Sequence, residues 1–148
     1  VLSSGKSSRF YKSLVFEKQI AQDVSSFQYS ARLAGSFIAA STAKPGVELD
    51  TIKEVIFERI QDLIQNGIKE EELLRSKNSV ISSFVYSLQK LDTITDQMNH
   101  YNFYLGEPNS FAADLARYEK VTADEVINAA KKYLLNPFVE LHIIPNTI

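Results

Sequence analysis

The hydrophobic pattern of the first thirty residues changes from a helical period to strand-type chemistry. Apolar side chains first recur at helical spacing, at Phe10, Tyr11, Leu14 and Val15. From Ala21 onward the chain carries β-branched and aromatic residues among short polar ones, as strands do. A serine oxygen can accept an unpaired backbone N–H of a first helical turn. The pattern predicts a short helix, capped by Ser7 or Ser8, that runs directly into a strand.

Three strands are predicted along the chain. Residues 20–30 and 35–44 are expected to form an antiparallel hairpin, with its turn in 30–35. Lys44-Pro45-Gly46 ends the second strand, because proline removes a donor and glycine permits a turn. Residues 138–144 alternate in the manner of a strand between two prolines and are predicted to be the last strand of the sheet.

Helical periodicity dominates the middle of the chain. The region from Asp50, the expected cap, to Gly67, the expected C-terminal glycine, has apolar residues at a spacing of three and four. From residue 70 to about 104 no proline or glycine interrupts the pattern, and a kink or break is expected near 91–94. A short helix is predicted over 110–119.

A capping box opens the last predicted helix. Thr122 stands three residues before Glu125, so each side chain can bond the backbone N–H of the other residue. The helix is expected to extend to Leu134 or Leu135. Five residues in the middle of helical apolar stripes are predicted to be nearly fully buried: Ile56, Leu63, Phe84, Leu88 and Val126.

These elements predict an α/β (α+β) fold, an antiparallel β-sheet with helices packed on one face. A length of 148 residues fits a single domain over 1–148 with a core of its own. The composition is that of a globular chain, with 45% hydrophobic and 23% charged residues. A formal net charge of −2 argues against a nucleic-acid surface, which needs clustered excess base.

The cysteine content and the lengths of the apolar runs exclude further kinds of site and structure. The chain has no cysteine, which excludes disulfides, thiolate metal sites and a cysteine nucleophile. No apolar run approaches the ~20 residues that span a bilayer. The compartment is left open between periplasm and cytoplasm, with a slight preference for the periplasm.

The sequence offers few metal ligands. Its two histidines, His100 and His142, lie on different predicted elements, and no His-x-x-Glu-His motif occurs. His100 is interpreted as a helix histidine and His142 as a strand residue, and neither has an evident partner ligand. We therefore predict no metal and no catalytic residue in this chain.

Five blocks of sequence resemble one family, in family order and with family-like spacing. They are SSGKSSRFYKSLVFEKQIAQDV, LAGSFIAASTAKPGVELDTI, EEELLRSKNSVISSFVYSL, QMNHYNFYLGEPNSF and VTADEVINAAKKYL. The chain is similar to pitrilysin/insulinase-type zinc metallopeptidases, in their mitochondrial-processing-peptidase-like branch. The resemblance implies the later part of a C-terminal lobe that lacks the zinc motif, with further strands supplied before Val1.

The resemblance also implies a function and a site. In many members the closing lobe carries an Arg and, seven residues later, a Tyr that hold the substrate backbone; the matching positions here are Val15 and Gln22. Neither has the expected type, and Gln22 is kept as a possible amide contact to substrate. Zinc is expected in an N-terminal lobe of the full-length enzyme or in a partner subunit.

Two functions follow from this resemblance. The first is a substrate-enclosing, non-catalytic lobe of a zinc endopeptidase that acts on peptides. The alternative is a catalytically inactive structural or protein-interaction domain of a peptidase-like assembly. In both cases the isolated chain is expected to be inactive, and its sheet edge is expected to make it self-associate.

Overall fold

The computed structural model describes residues 1–135 and 137–145. In chain order it contains a π-helix (Tyr11–Glu17), strands β1 (Ala21–Ser30) and β2 (Gly35–Ala43), and helices α1 (Leu49–Asn66), α2 (Glu70–Ser87), α3 (Leu91–Leu105), α4 (Phe111–Lys120) and α5 (Ala123–Tyr133). This is a mixed helix and antiparallel-sheet fold, as predicted.

The chain forms two compact units. One unit comprises Val1–Gly67 with Ile127–Ile148, and the other comprises Ile68–Val126. The interpretation of residues 1–148 as a single domain stays a prediction. No described helix is both long and apolar enough to cross a membrane.

The hairpin of β1 and β2 confirms the predicted strands to within one residue at each end. Its register pairs Phe27 with Ile38 and Ser30 with Gly35, and the turn is closed by a bond from the Ala31 N–H to the Ala34 carbonyl. A β-bulge between Ala21 and Asp23 interrupts this register near the start of β1. A bulge increases the local twist of a strand and re-aims its side chains.

The core of the first unit lies on one face of the hairpin. The π-helix and α1 cover this face, and their apolar side chains meet those of β1. The buried cluster consists of Phe10, Leu14, Ala21, Val24, Ile52, Val55 and Ile60. Ala21 and Val24 both face inward although they are three residues apart, because the β-bulge shifts the alternation of β1 by one residue. The helices supply continuous apolar stripes.

The first helix differs from the prediction in type and in capping. It is a π-helix, with the backbone N–H of Lys18 bonded to the carbonyl of Ser13, five residues earlier. Phe10 stands at the N-cap without a side-chain cap bond. The hydroxyl of Ser8 is buried and donates to the carbonyl of Gly5, so it stabilises the preceding turn instead of the helix end.

Helix α1 begins at Leu49, two residues earlier than a cap at Asp50 would allow. Glu48 stands at the N-cap without a side-chain bond, and Asp50 lies in the first turn, bonded to Lys53. The ammonium of Lys53, one turn later, binds the Asp50 carboxylate in place of the backbone N–H groups that a cap would bind. The C-terminal prediction is confirmed, because Gly67 has a φ of 79° and its N–H bonds the carbonyl of Leu63.

The second unit contains α2, α3 and α4. The break in the long helical pattern lies at residues 88–90, slightly before the predicted site. Tyr101 is 3% exposed, and its ring lies 5.2 Å from that of Phe111, which also contacts Phe84 at 6.3 Å between ring centres. The aromatic contacts hold α2, α3 and α4 together.

The predicted buried set is confirmed only at Leu63, which is 1% exposed. Ile56, Phe84, Leu88 and Val126 are half-buried. These four side chains stay half-buried because an apolar stripe is fully enclosed only where other elements pack over it from more than one side. Among the described residues of the second unit, the buried side chains are those of Tyr101 and Ser110.

The last two predicted elements have different outcomes. The capping box is confirmed, with the N–H of Thr122 bonded to Glu125 at 2.7 Å and the N–H of Glu125 bonded to the Thr122 hydroxyl at 3.2 Å. The predicted strand over 138–144 is wrong, because residues 137–145 pair with neither β1 nor β2. They lie against α1 instead, with the Phe138 ring 4.9 Å from that of Phe57.

Candidate functional site

Gln22 is the bulged residue of β1. The register passes directly from Ala21 to Asp23, so Gln22 has no partner in β2. Its exposed side-chain amide donates to the backbone carbonyl of Ala43 at 3.1 Å. The side chain thus closes the gap that the extra residue opens in the ladder.

Backbone strain lies immediately before this bulge. Gln19, between the π-helix and β1, has a φ of 53°, in the left-handed region that non-glycine residues seldom occupy. A π-helix, a left-handed residue and a bulge therefore follow one another within residues 11–23. Such irregular features are often found at functional sites, where they aim particular side chains.

Val15, the other position implied by the resemblance, lies in a different environment. It is half-buried and packs against the hydrophobic core of the first unit. The structure therefore does not bring Val15 and Gln22 together on one exposed surface. Val15 contributes to packing, and Gln22 is the exposed member of the two positions.

An apolar surface that sequence analysis did not identify covers the other face of the hairpin. Phe27, Tyr29 and Ile38 lie on this outer face and are 51%, 63% and 38% exposed. Phe27 and Ile38 stand directly opposite each other in the register, where side chains contact across strands. The period-two placement of Phe27 and Tyr29 in β1 could have revealed this outer face from the sequence.

The free edge of β1 is partly satisfied by a side chain. The N–H of Ser26 donates to the hydroxyl oxygen of Ser3 at 2.8 Å, and that hydroxyl also lies 3.3 Å from the Ser26 carbonyl. Ser3 thus bonds the same backbone groups that a neighbouring strand would bond.

A second polar cluster joins α1 to residues 137–145. Asp50, Glu140 and His142 have potential ligand atoms within 4.8 Å of one another. The ammonium of Lys53 pairs with the carboxylates of both Asp50 and Glu140, and His142 Nε2 lies 2.6 Å from Glu140 Oε1. All three potential ligands are exposed.

The charges in this cluster stabilise one another. The hydrogen bond from Lys53 holds the pKa of Asp50 below its usual value. His142, and to a lesser extent Lys53, lower the pKa of Glu140, and the two carboxylates raise the pKa of Lys53. Lys53 already neutralises these carboxylates, so a zinc ion would have to compete with it. The cluster as it stands does not fit a zinc site.

His100 lies elsewhere, in the second unit. Its ring is 4.6 Å from that of Tyr104, one turn later on α3. Within the described part of the chain, it belongs to no group of three or more histidine, aspartate and glutamate side chains that could hold a metal. Its contact is an aromatic one on a helix surface.

The comparisons with known proteins identify the family. A sequence model described as the peptidase M16 inactive domain matches residues 1–80, which is more than half of the chain. The chain therefore belongs to the peptidase M16 inactive-domain family, the pitrilysin-like group that the sequence resembles. No curated protein matches the chain.

Solved structures share the fold. The inactive peptidase domain of a proposed zinc protease from Bordetella parapertussis has a TM-score of 0.76 at 20% identity, over 91% of this chain and 73% of that one. A protease from Helicobacter pylori has a TM-score of 0.79 at 18% identity, over 90% of this chain and 32% of that one. A peptidase M16 inactive domain from Pseudomonas fluorescens has a TM-score of 0.71 at 20% identity, over 92% of this chain and 32% of that one.

Proposed function

We propose that this chain is the non-metal, substrate-enclosing lobe of a zinc endopeptidase that acts on peptides. The observation that carries this proposal is the match of residues 1–80 to a family described as inactive, together with the absence of a His-x-x-Glu-His motif from the sequence. Zinc and the activated water would belong to an N-terminal lobe or to a partner subunit.

The outer face of the hairpin supports an enclosing role. Phe27, Tyr29 and Ile38 place exposed apolar area on a regular, hydrogen-bonded surface. An exposed apolar patch on a rigid element commonly marks an interaction site. We infer that this outer face meets substrate or the opposing lobe, with apolar side chains of an unfolded peptide as its complement.

Gln22 is proposed as a separate polar contact, at the bulge near the start of β1. One N–H of its amide bonds Ala43, which orients the side chain at the bulge. The amide could then bond the backbone of an extended peptide. Gln28 is a matched control, since it is also exposed and its amide also donates to a backbone carbonyl, that of Tyr29.

A reconstitution experiment tests the function. The chain is combined with the zinc lobe of its own peptidase, and cleavage of a fluorogenic peptide is measured with and without it. We expect cleavage only from the mixture, and a raised KM with Phe27→Ser but not with Phe16→Ser. Phe16 is a suitable control because it is 71% exposed on the π-helix.

Two results would contradict this proposal. If the zinc lobe alone cleaves as fast as the mixture, the chain does not enclose substrate. If the companion lobe has a degenerate zinc motif and the mixture forms a stable but inactive complex, the alternative of a structural interaction domain is correct. For Gln22, equal kinetics of Gln22→Ala and Gln28→Ala would exclude a specific contact.

We also propose that the isolated chain self-associates. Among the described residues, β1 and β2 form a two-stranded sheet, and such a sheet leaves edge groups available for pairing with another chain. Light scattering at micromolar concentration tests this proposal, and a monomer at all concentrations would overturn it.

A further inference from the structure

An asparagine stands directly before a glycine at the end of α1. Asn66 is the last residue of this helix and is exposed, and Gly67 follows it with a φ of 79°. Among the glycines of the sequence, only Gly67 follows an asparagine. A glycine carries no side chain beside its backbone nitrogen, so this nitrogen can approach a neighbouring group closely. The side-chain carbonyl carbon of Asn66 is therefore accessible to the backbone nitrogen that follows it.

The reaction open to this pair is deamidation through a cyclic imide, since asparagine is a chemically labile residue. The backbone nitrogen of Gly67 gives up its proton to solvent base and forms a bond to Cγ of Asn66, and the side-chain amide leaves as ammonia. Water then opens the ring. Opening at the side-chain carbonyl gives aspartate, and opening at the backbone carbonyl gives isoaspartate, in which the main chain runs through the side-chain carbon. Water is the only co-reactant.

The fold restrains the nitrogen that must attack. The N–H of Gly67 donates to the carbonyl of Leu63 at 3.1 Å, which is the bond that ends the helix. The carbonyl of Gly67 accepts a bond from the guanidinium of Arg9. The attack requires the Gly67 N–H to lose its proton, so its bond to Leu63 has to break first. The nucleophile is therefore released only when the last turn of α1 opens.

The group that is attacked is restrained as well. Nδ2 of Asn66 donates to Oδ1 of Asp62 at 2.7 Å, and the other oxygen of this carboxylate binds the guanidinium of Arg9. Arg9 therefore bonds the residue that orients the Asn66 side chain and also the residue that supplies the nucleophile. Because Arg9 lies outside α1, it ties this turn to the rest of the first unit. Loss of its bonds frees both reacting groups together.

We propose that Asn66 is a site of spontaneous deamidation, and that Arg9 sets the rate by holding the last turn of α1 closed. The reaction is independent of the peptidase function proposed above. Its product carries a carboxylate at the C-terminal end of a helix, where negative charge is unfavourable, and one turn after Asp62, which repels it. The product also lacks the amide donor that bonded Asp62. The modified chain therefore opens at this turn more readily than the original one.

Peptide mapping of the folded chain tests the site. The chain is incubated in mildly alkaline buffer and digested with trypsin, which releases residues 60–69 with Asn66 as the only asparagine. Mass spectrometry then follows conversion of residue 66 to aspartate and isoaspartate. Asn78 is an internal control, since it is also exposed on a helix, α2, but precedes a serine. We expect both products at residue 66 and slower conversion at residue 78. Equal rates at the two positions, or aspartate without isoaspartate, would overturn the proposal.

Variants test the role of Arg9. Arg9→Met should accelerate conversion of Asn66 by about 5- to 30-fold, because loss of its bonds raises the open population by that order. Asp62→Asn should also accelerate it, since this change removes the carboxylate and keeps the shape of the side chain. Ile52→Ala is the control, because Ile52 is 5% exposed near the start of α1, far from the last turn. If Ile52→Ala accelerates conversion as much as Arg9→Met does, global unfolding sets the rate and Arg9 does not.

A charge mimic tests the consequence of the reaction. Asn66→Asp should raise the equilibrium constant of unfolding by about two- to tenfold, through the helix end and through repulsion of Asp62. Urea denaturation followed by circular dichroism measures this constant. Asn78→Asp is the matched control, because it adds the same charge within α2, with no acidic residue three or four positions away. Equal effects of the two substitutions would show that deamidation of Asn66 does not weaken the last turn of α1.

Discussion

The guanidinium of Arg9 binds the carboxylate of Asp62, with 3.0 Å between Nη1 and Oδ2. Its second terminal nitrogen donates to the carbonyl of Gly67 at 2.7 Å. A single side chain from the N-terminal segment thus bonds both the last turn of α1 and the residue that ends the helix. The side chain of Arg9 is only 14% exposed, so solvent screens these bonds weakly.

Replacement of Arg9 should therefore destabilise the first unit. We expect Arg9→Met to lower the free energy of unfolding by about 1–3 kcal/mol, because it leaves the Asp62 carboxylate and the Gly67 carbonyl without this donor. Urea denaturation followed by circular dichroism measures the change. Arg117→Met is the control, since Arg117 is 76% exposed and its ion pair should contribute at most about 1 kcal/mol. Equal effects of the two substitutions would show that Arg9 does not fix α1.

Leu63 should matter more than Phe84, although both lie in apolar stripes. Leu63→Ala is expected to cost about 2–5 kcal/mol, because the side chain is almost fully enclosed and its removal leaves a cavity. Phe84 is half-buried, so Phe84→Ala should cost less despite the larger side chain. Thermal and urea unfolding of the two variants compare these costs. A larger loss of stability with Phe84→Ala would mean that the second unit encloses the Phe84 side chain more completely than its half-buried position indicates.

Tyr101 should make stability depend on alkaline pH. Burial, and then the hydrogen bond that its hydroxyl donates to Asp114, raise the pKa of Tyr101 to about 12. An unfolded tyrosine titrates near pH 10, so the folded state holds this proton more tightly. The contribution of Tyr101 is therefore complete below about pH 10 and is lost as the pH rises towards the folded pKa.

The variant Tyr101→Phe isolates this contribution. At neutral pH the substitution should cost about 0.5–1.5 kcal/mol, and the difference from the natural chain should shrink between about pH 10 and pH 12. Unfolding free energies measured across this range provide the check. Tyr86→Phe controls for the loss of a tyrosine hydroxyl at an exposed position, since Tyr86 is 69% exposed. If the free energies of unfolding of the natural chain and of Tyr101→Phe differ by the same amount at every pH, titration of Tyr101 does not affect stability.

Zinc should not bind this chain stoichiometrically. The ammonium of Lys53 pairs with the carboxylates of Asp50 and Glu140, which form a cluster with His142. The other histidine, His100, belongs to the second unit. Calorimetric titration with zinc should therefore give no one-to-one transition at micromolar concentration. Tight binding that is lost in His142→Ala would contradict this prediction and would identify the cluster as a metal site.

The sequence by itself determined the features that depend on local chemistry. The two strands of the hairpin follow from alternating and β-branched residues. Gly67 ends α1 because the chain needs a positive φ there, which glycine adopts without strain. The bonds between Thr122 and Glu125 follow from their spacing alone. The absence of a zinc motif is likewise a property of sequence, and the block resemblance predicted the family that the comparison confirmed.

Tertiary structure decided which of these local preferences prevailed. A strand needs a neighbour as well as suitable residues, so residues 138–144 lie outside the sheet although their sequence alternates. Burial depends on how many elements close over a stripe, which separates Leu63 from Phe84. The bulge at Gln22 depends on the register of β1 against β2, and a register is a relation between two strands that neither sequence alone contains.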